Sequence, residues 1–234
     1  MRTPSISLLA ATLLGLASAA HAEEATVQGY VVDERGERVT EYEAAMSWMW
    51  TDGHAKPSRS FEVGANGTFS GDFNVRGNQA VVVYADGGRM AGVAPITSDE
   101  EIVVTLRPAV HVTGRFGCSE LGELGSFSVH WSIDRTRPVM ARPKDGVLDM
   151  WLPEGDWRIM GYGSDVKTYR NKLTLERGAH DLGEVDLPGT FIAMNVGRPV
   201  EEWNVTEARG VGLDAAQIQS FRGQWLLVEF WGFW

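Results

Sequence analysis

The feature that most constrains this chain is a succession of short β-rich runs. Each is closed by a turn signal, and no sustained 3.6-residue periodicity appears between residues 26 and 187. Thr26–Val32 is apolar and β-branched and is broken by Asp33-Glu34-Arg35-Gly36. Ala45–Trp50 alternates, which predicts Met46, Trp48 and Trp50 on one face of a strand. Phe61–Val63 and Thr68–Phe73 flank Asn66-Gly67, a dipeptide suited to a tight hairpin because both residues tolerate positive φ. Ala80–Tyr84 ends at Asp86-Gly87-Gly88, and Ile102–Leu106 precedes Pro108. Strands at this spacing predict a sandwich or small barrel.

The pattern then begins again. Val110–Phe116 matches Thr26–Val32 in position, with Gly114 in the place of Gly29. Phe127–Ile133 alternates Phe127, Val129 and Trp131 with Ser128, His130 and Ser132. Asp145-Gly146 is a turn followed by Val147–Leu152, and Pro153-Glu154-Gly155 is a turn followed by Asp156–Met160. Leu173–Leu175 and Leu182–Leu187 complete the set before Pro188-Gly189. The expected organisation is a mainly β chain: a signal peptide over 1–22, β-sandwich modules over 23–107 and 108–187, and a distinct tail over 188–234.

Two stretches resemble the carboxypeptidase-regulatory-like, or transthyretin-like, β-sandwich family. One is Val27-Gln28-Gly29-Tyr30-Val31-Val32-Asp33 with Asn66-Gly67-Thr68-Phe69. The other runs from Asp145-Gly146 through Leu152-Pro153-Glu154-Gly155 to Ile159. The resemblance covers about Thr26 to Leu187 and implies a fold, with no catalytic residues to carry over.

The ends carry different information. Arg2, the apolar Ser5–Ala19 and Ala20-His21-Ala22 form a secretory signal with a small-x-small cleavage site. Its cleavage would start the mature chain at Glu23 and shift the formal charge from −10 to −11. Lys and Arg are dispersed, so a nucleic-acid partner is excluded, and no further stretch is long and apolar enough to span a bilayer. The expected location is periplasm or cell surface.

In the tail, Asp214-Ala215-Ala216-Gln217 reads as a capping box, predicting a short helix to about Phe221 that Gly223 stops. Trp225–Trp231 is then a nearly continuous apolar run, as in a strand covered on both faces. Val196-Gly197-Arg198-Pro199 and Ser220 to Trp234 resemble the start of redoxin and TlpA-like thioredoxins of exported bacterial proteins. In that family an apolar strand is followed by phenylalanine-tryptophan, two residues, a tryptophan and the first cysteine of CxxC. Trp234 holds the tryptophan position, and Gln224 replaces the usual lysine. The resemblance implies a thiol–disulfide oxidoreductase whose CxxC is expected just beyond Trp234, with protein thiols or disulfides as partners of that domain. Cleavage chemistry of this kind needs a thiolate at a helix N-terminus and a resolving thiol, so residues 1–234 are expected to lack reductase activity.

Within the chain no catalytic, cofactor-binding or metal residue is assigned, and no cofactor is expected. Cys118 is the single cysteine, which excludes an intramolecular disulfide, and it reads as a small core or strand-end residue. His54, His111, His130 and His180 share no short metal-ligand spacing. Asp52, Asp86 and Asp145 each precede Gly and read as turn residues. Trp48, Trp50, Trp131, Trp151 and Trp157 lie on predicted strands and read as core. Asn66-Gly67-Thr68 and Asn204-Val205-Thr206 fit the glycosylation sequon, the first doubling as the hairpin turn. The alternative to the redoxin reading is a non-enzymatic extracytoplasmic β-sandwich binding or interaction protein.

Overall fold

Alternation along the β-rich runs becomes strand pairing. The computed structural model describes residues 23–75, 78–96, 101–199 and 205–224. The signal segment and the apolar run Trp225–Trp231 lie outside these. From Glu23 to Pro108 the strands are β1 (Glu23–Val32), β2 (Glu43–Thr51), β3 (His54–Ser60), β4 (Glu62–Val63), β5 (Thr68–Val75), β6 (Ala80–Ala85), β7 (Met90–Pro95), β8 (Ile102–Thr105) and β9 (Arg107–Pro108). Then follow β10 (Val110–Gly117), β11 (Phe127–Ile133), β12 (Thr136–Arg142), β13 (Val147–Leu152), β14 (Gly155–Gly163), β15 (Tyr169–Leu175) and β16 (Ala179–Asp186). The fold is mainly β, as the sequence predicts.

The pairing scheme of the first set recurs in the second. β1 pairs antiparallel with β5 and parallel with β8; β10 pairs antiparallel with β13 and parallel with β16. β2 pairs antiparallel with β3 and β6, and β6 with β7; β11 pairs antiparallel with β12 and β14, and β14 with β15. The sets are also joined. β6 covers residues 43–45 of β2, and β12 then pairs parallel with residues 48–51, making one nine-stranded sheet.

The cores follow this seam. One cluster, with Val27, Val31, Phe61, Phe69, Val81, Val83 and Val104, draws only on residues before Ala109. The other gathers Trp131, Trp157, Met150 and Leu152 of the later strands together with Trp48, Trp50, Val82 and Tyr84 of the earlier ones. Met46, Trp48 and Trp50 are all buried, as the alternation predicts, but Met46 belongs to the first cluster and the two tryptophans to the second. Arg177 reaches Glu34 at 2.5 Å and Glu154 at 3.6 Å, an exposed ion-pair bridge between the two sets, of small energetic weight.

Several local expectations need correction. At Asn66-Gly67 only Gly67 has positive φ (71°). Asn66 keeps an ordinary φ because its Oδ1 accepts from the Thr68 amide (3.2 Å) and hydroxyl (2.7 Å), and Gly67 N–H donates to Gly64 O (2.9 Å). The hairpin itself forms, joining β4 to β5, while consecutive positive φ values occur at Asp52-Gly53, Asp134-Arg135 and Asp145-Gly146. The helix expected from Asp214 to Phe221 is two 3₁₀ turns, Leu213–Ala216 and Ile218–Phe221, separated by an extended Gln217. Gly212 takes the N-cap position, where there is no side chain to cap. A segment this short, with no buried face, cannot sustain an α-helix by local preference. A five-residue helix, α1 (Phe191–Asn195), forms where none is predicted, with the Ala193 amide donating to Thr190 Oγ1 at 3.2 Å.

Candidate functional site

The outward face of the sheet formed by β11, β14 and β15 carries a row of cationic side chains. Strand alternation creates it. Phe127, Val129, Trp131 and Ile133 of β11 point inward, leaving Ser128, His130 and Ser132 outside. Trp157 and Ile159 of β14 point inward, leaving Asp156, Arg158, Met160 and Tyr162 on the other face. On β15, Leu175 is buried and Arg170, Lys172 and Thr174 face out. Register lines these up as Ser132–Arg158–Lys172 and His130–Met160–Arg170.

An open groove of about 720 Å³ runs over this face. Arg135, Arg137, Arg158 and Lys172 line it beside Ser132, Asp134, Asp156, Thr174 and Met160. Asp134 and Arg135 form the β11–β12 turn, both in the left-handed region (φ 46° and 66°). Asp156 Oδ1 accepts from the Thr174 hydroxyl at 2.6 Å. Among the described residues, no carboxylate oxygen lies within 4.0 Å of these four cationic groups, as holds for most Lys and Arg side chains of the fold; what sets the four apart is that they share one groove.

Arg137 also acts on His130. Burial, and second the Arg137 charge, hold the His130 pKa below the ordinary 6.5. The unfolded chain therefore binds more protons than the folded one between the lowered value and 6.5, so stability rises with pH across that window. We predict that wild-type thermal stability falls on acidification from about pH 7 to about pH 5, and that His130→Gln reduces the fall. Melting curves of both proteins at the two pH values check this, and parallel losses would count against it.

A second cluster lies on the outward face of β10 and β13. His111 stands opposite Trp151, their rings stacked at 4.4 Å and 15°, and His111 Nε2 lies 2.8 Å from Asp149 Oδ1. Trp48, Trp50, Trp131 and Trp157 are core residues as predicted, but Trp151 is half-buried. It falls on the outward alternation of β13, between inward Met150 and Leu152, and His111 covers its ring. No Ser, Thr or Cys side chain is hydrogen-bonded to the His111–Asp149 pair among the described residues.

The other sequence candidates fall apart spatially or into structural roles. His54 starts β3 and is exposed, and His180 lies on β16 opposite Val112. Asp52, Asp86 and Asp145 have φ of 52°, 49° and 49°, each in a turn. Cys118 is free and buried in the larger core, its carbonyl accepting from Leu121 and Gly122 N–H. Among the described residues no three His, Cys, Asp or Glu side chains gather as metal ligands, and no helix is long and apolar enough to cross a membrane. Sequence reasoning missed the cationic row. Its signal was the outward alternation Asp156-Arg158-Met160 and Arg170-Lys172-Thr174, which gains meaning only through register.

No protein-family model matches the chain, and no curated protein matches it. Solved structures that resemble it include the TIE protein of Bacillus anthracis, 10% identical with a TM-score of 0.32, over 71% of this chain and 34% of that one. A streptococcal ancillary pilin is 11% identical with a TM-score of 0.29, over 72% of this chain and 63% of the pilin. A leucine-rich repeat protein from Bacteroides thetaiotaomicron is 14% identical with a TM-score of 0.31, over 71% and 27%. The chain thus spans less than two thirds of the length of each.

Proposed function

We propose that this chain is an exported, non-enzymatic β-sandwich binding protein whose contact surface is the outer face of β11, β14 and β15. One observation carries the reading: four cationic side chains share an open groove, with no carboxylate of the described residues within 4.0 Å of them, on a chain of net charge −10. Surplus acid elsewhere keeps the protein soluble, while the local field favours an anionic partner. The recurrence of the β1/β5/β8 pairing in β10/β13/β16 supports two transthyretin-like modules over 23–107 and 108–187. The second module carries the groove.

The reading is tested on a sulfonate resin. Despite its net charge, the mature protein is expected to be retained near neutral pH in low salt and released as salt screens the contact. The double variant Arg158→Glu, Lys172→Glu is expected to flow through. Equal retention of variant and wild type would remove the groove from the account.

A second reading rests on Ser220 to Trp234, which resembles the strand leading into a thioredoxin-type CxxC, although the described residues stop at Gln224. In it the β modules position or dock a redox domain. The gene product extended beyond Trp234 would then carry Cys-x-x-Cys directly after it and reduce insulin disulfides. A different continuation would end this reading without touching the first.

A further inference from the structure

We infer that the ligand of the cationic groove is an acidic polysaccharide, bound through its carboxylates and hydroxyls together. This rests on the outer sheet face being the contact surface, and it adds the chemistry of the partner.

The register supplies the first argument. Arg158 and Lys172 are direct cross-strand partners on one face. Like charges placed directly opposite each other destabilise a sheet. Neither cation has a carboxylate within 4.0 Å among the described residues to offset that repulsion. Arg135 and Arg137 extend the charge to the far side of the groove, Arg135 from a left-handed turn position that a bulky side chain seldom occupies. An anion lying across the strands would relieve this repulsion. Arg guanidinium groups also match planar carboxylates as paired donors.

The second argument separates a sugar acid from an acidic peptide. The groove mixes its cations with acceptors and hydroxyls: Asp134, Asp156, Ser132 and Thr174. Asp carboxylates repel a purely carboxylate-bearing chain but accept from sugar hydroxyls, so the mixture suits a ligand with both groups. A peptide would bind most readily by adding a strand to the outer edge of β15. There the Lys172 N–H is already given to Asn171 Oδ1 at 2.8 Å, and the Asn171 amide is held by the Tyr169 hydroxyl at 3.0 Å. One donor of that edge is thus taken, which disfavours strand addition there and favours the face as the docking surface.

The test compares polymers on the mature wild-type protein by affinity electrophoresis at fixed low salt. The probes are polygalacturonate, poly-L-glutamate of matched charge and neutral dextran. Polygalacturonate is expected to retard the protein at about tenfold lower concentration than poly-L-glutamate, and dextran to have no effect. Arg158→Glu with Lys172→Glu is expected to weaken polygalacturonate binding by about tenfold or more, since each substitution removes a charge-assisted contact. Lys56→Glu, on β3 away from the groove, is expected to leave it unchanged. Arg158→Gln with Lys172→Gln, checked by circular dichroism, serves if the charge reversal does not fold. Equal or tighter binding of poly-L-glutamate overturns the polysaccharide assignment while the anion-binding face stands. So does absence of polygalacturonate binding by a protein that the sulfonate resin still retains. Loss of retention on the resin as well overturns the face itself.

Discussion

Replacing Trp48 by Ala is expected to destabilise the protein by about 3–5 kcal/mol, lowering the melting temperature by roughly 6–20 °C. Trp48 is 2% exposed and its position on β2 explains the size of the effect. Its indole N–H donates to Val82 O at 3.0 Å, and its ring meets Tyr84 edge-on at 4.7 Å. Its backbone is paired with Pro57 of β3 and with Val139 of β12. Tyr84 in turn donates to the Trp151 carbonyl at 2.9 Å, which ties the earlier strands to β13. The cavity left by the indole would therefore open where both strand sets meet, and would loosen each against the other. Phe69→Ala, in the core that lies wholly within the first set, is also costly but does not touch this seam. In urea unfolding followed by circular dichroism and tryptophan fluorescence, Trp48→Ala should keep a single transition shifted to lower urea. Two separated transitions, with only the earlier strands destabilised, would show that the seam does not couple the sets.

That seam was not legible in the sequence. Ala45–Trp50 announces a strand with buried aromatics, because alternation is a local signal. Nothing local says that β2 changes neighbours midway, from β6 to a strand almost a hundred residues later. β11 and β13 are legible to the residue, β11 from a strict apolar alternation and β13 from the turns on either side of it. β3 was missed for the converse reason. His54–Ser60 is an edge strand with Lys56, Pro57 and Arg59, largely exposed, and β2 alone holds it in place. β7 and β12 lack a clean alternation, and most of their definition comes from their partners. In the tail the residues of a capping box are present, but no packed face makes a helix worth forming.

The candidate site shows the same division. Each cation could be placed outside its strand by alternation alone, but Arg158 and Lys172 are neighbours only because β14 and β15 pair in one register. A shift of one residue would bury one and expose Leu173. The charges come from composition, and their concentration comes from topology. This is why dispersed basic residues in the sequence excluded a phosphate-backbone partner without excluding a local anion site.

The two glycines that occupy matching places in the strand repeat test how far that repeat goes. Gly29 lies in β1 between β5 and β8, opposite Phe69 on one side and Ile102 on the other. A Cβ there would sit 2.1 Å from the Ile102 carbonyl oxygen and 2.6 Å from Phe69 Cζ. The phenyl ring could turn, but the carbonyl belongs to the neighbouring strand and cannot withdraw without disturbing the β1–β8 ladder. Gly114 holds the corresponding place in β10, but the β10–β16 register shifts between Thr113 and Arg115. Its Cβ would meet Leu182 Cβ at 2.9 Å, with the nearest backbone oxygen, that of Gly183, at 3.4 Å. The bulge has moved the β16 carbonyl away, but Leu182 Cβ is fixed to its own backbone, so relief takes a small shift of the β16 chain and the clash is milder than at Gly29. Overpacking a fitted core costs roughly 1–3 kcal/mol and more where backbone must move, so Gly29→Ala is expected to cost about 3 kcal/mol or more. Gly114→Ala is expected to cost less, about 2 kcal/mol, because its closest approach is 2.9 Å and no carbonyl stands in the way. Urea midpoints of the two single variants measure the difference directly. Equal losses would mean that the register shift in β16 gives no relief, and a milder effect at Gly29 would contradict the close approach of β8.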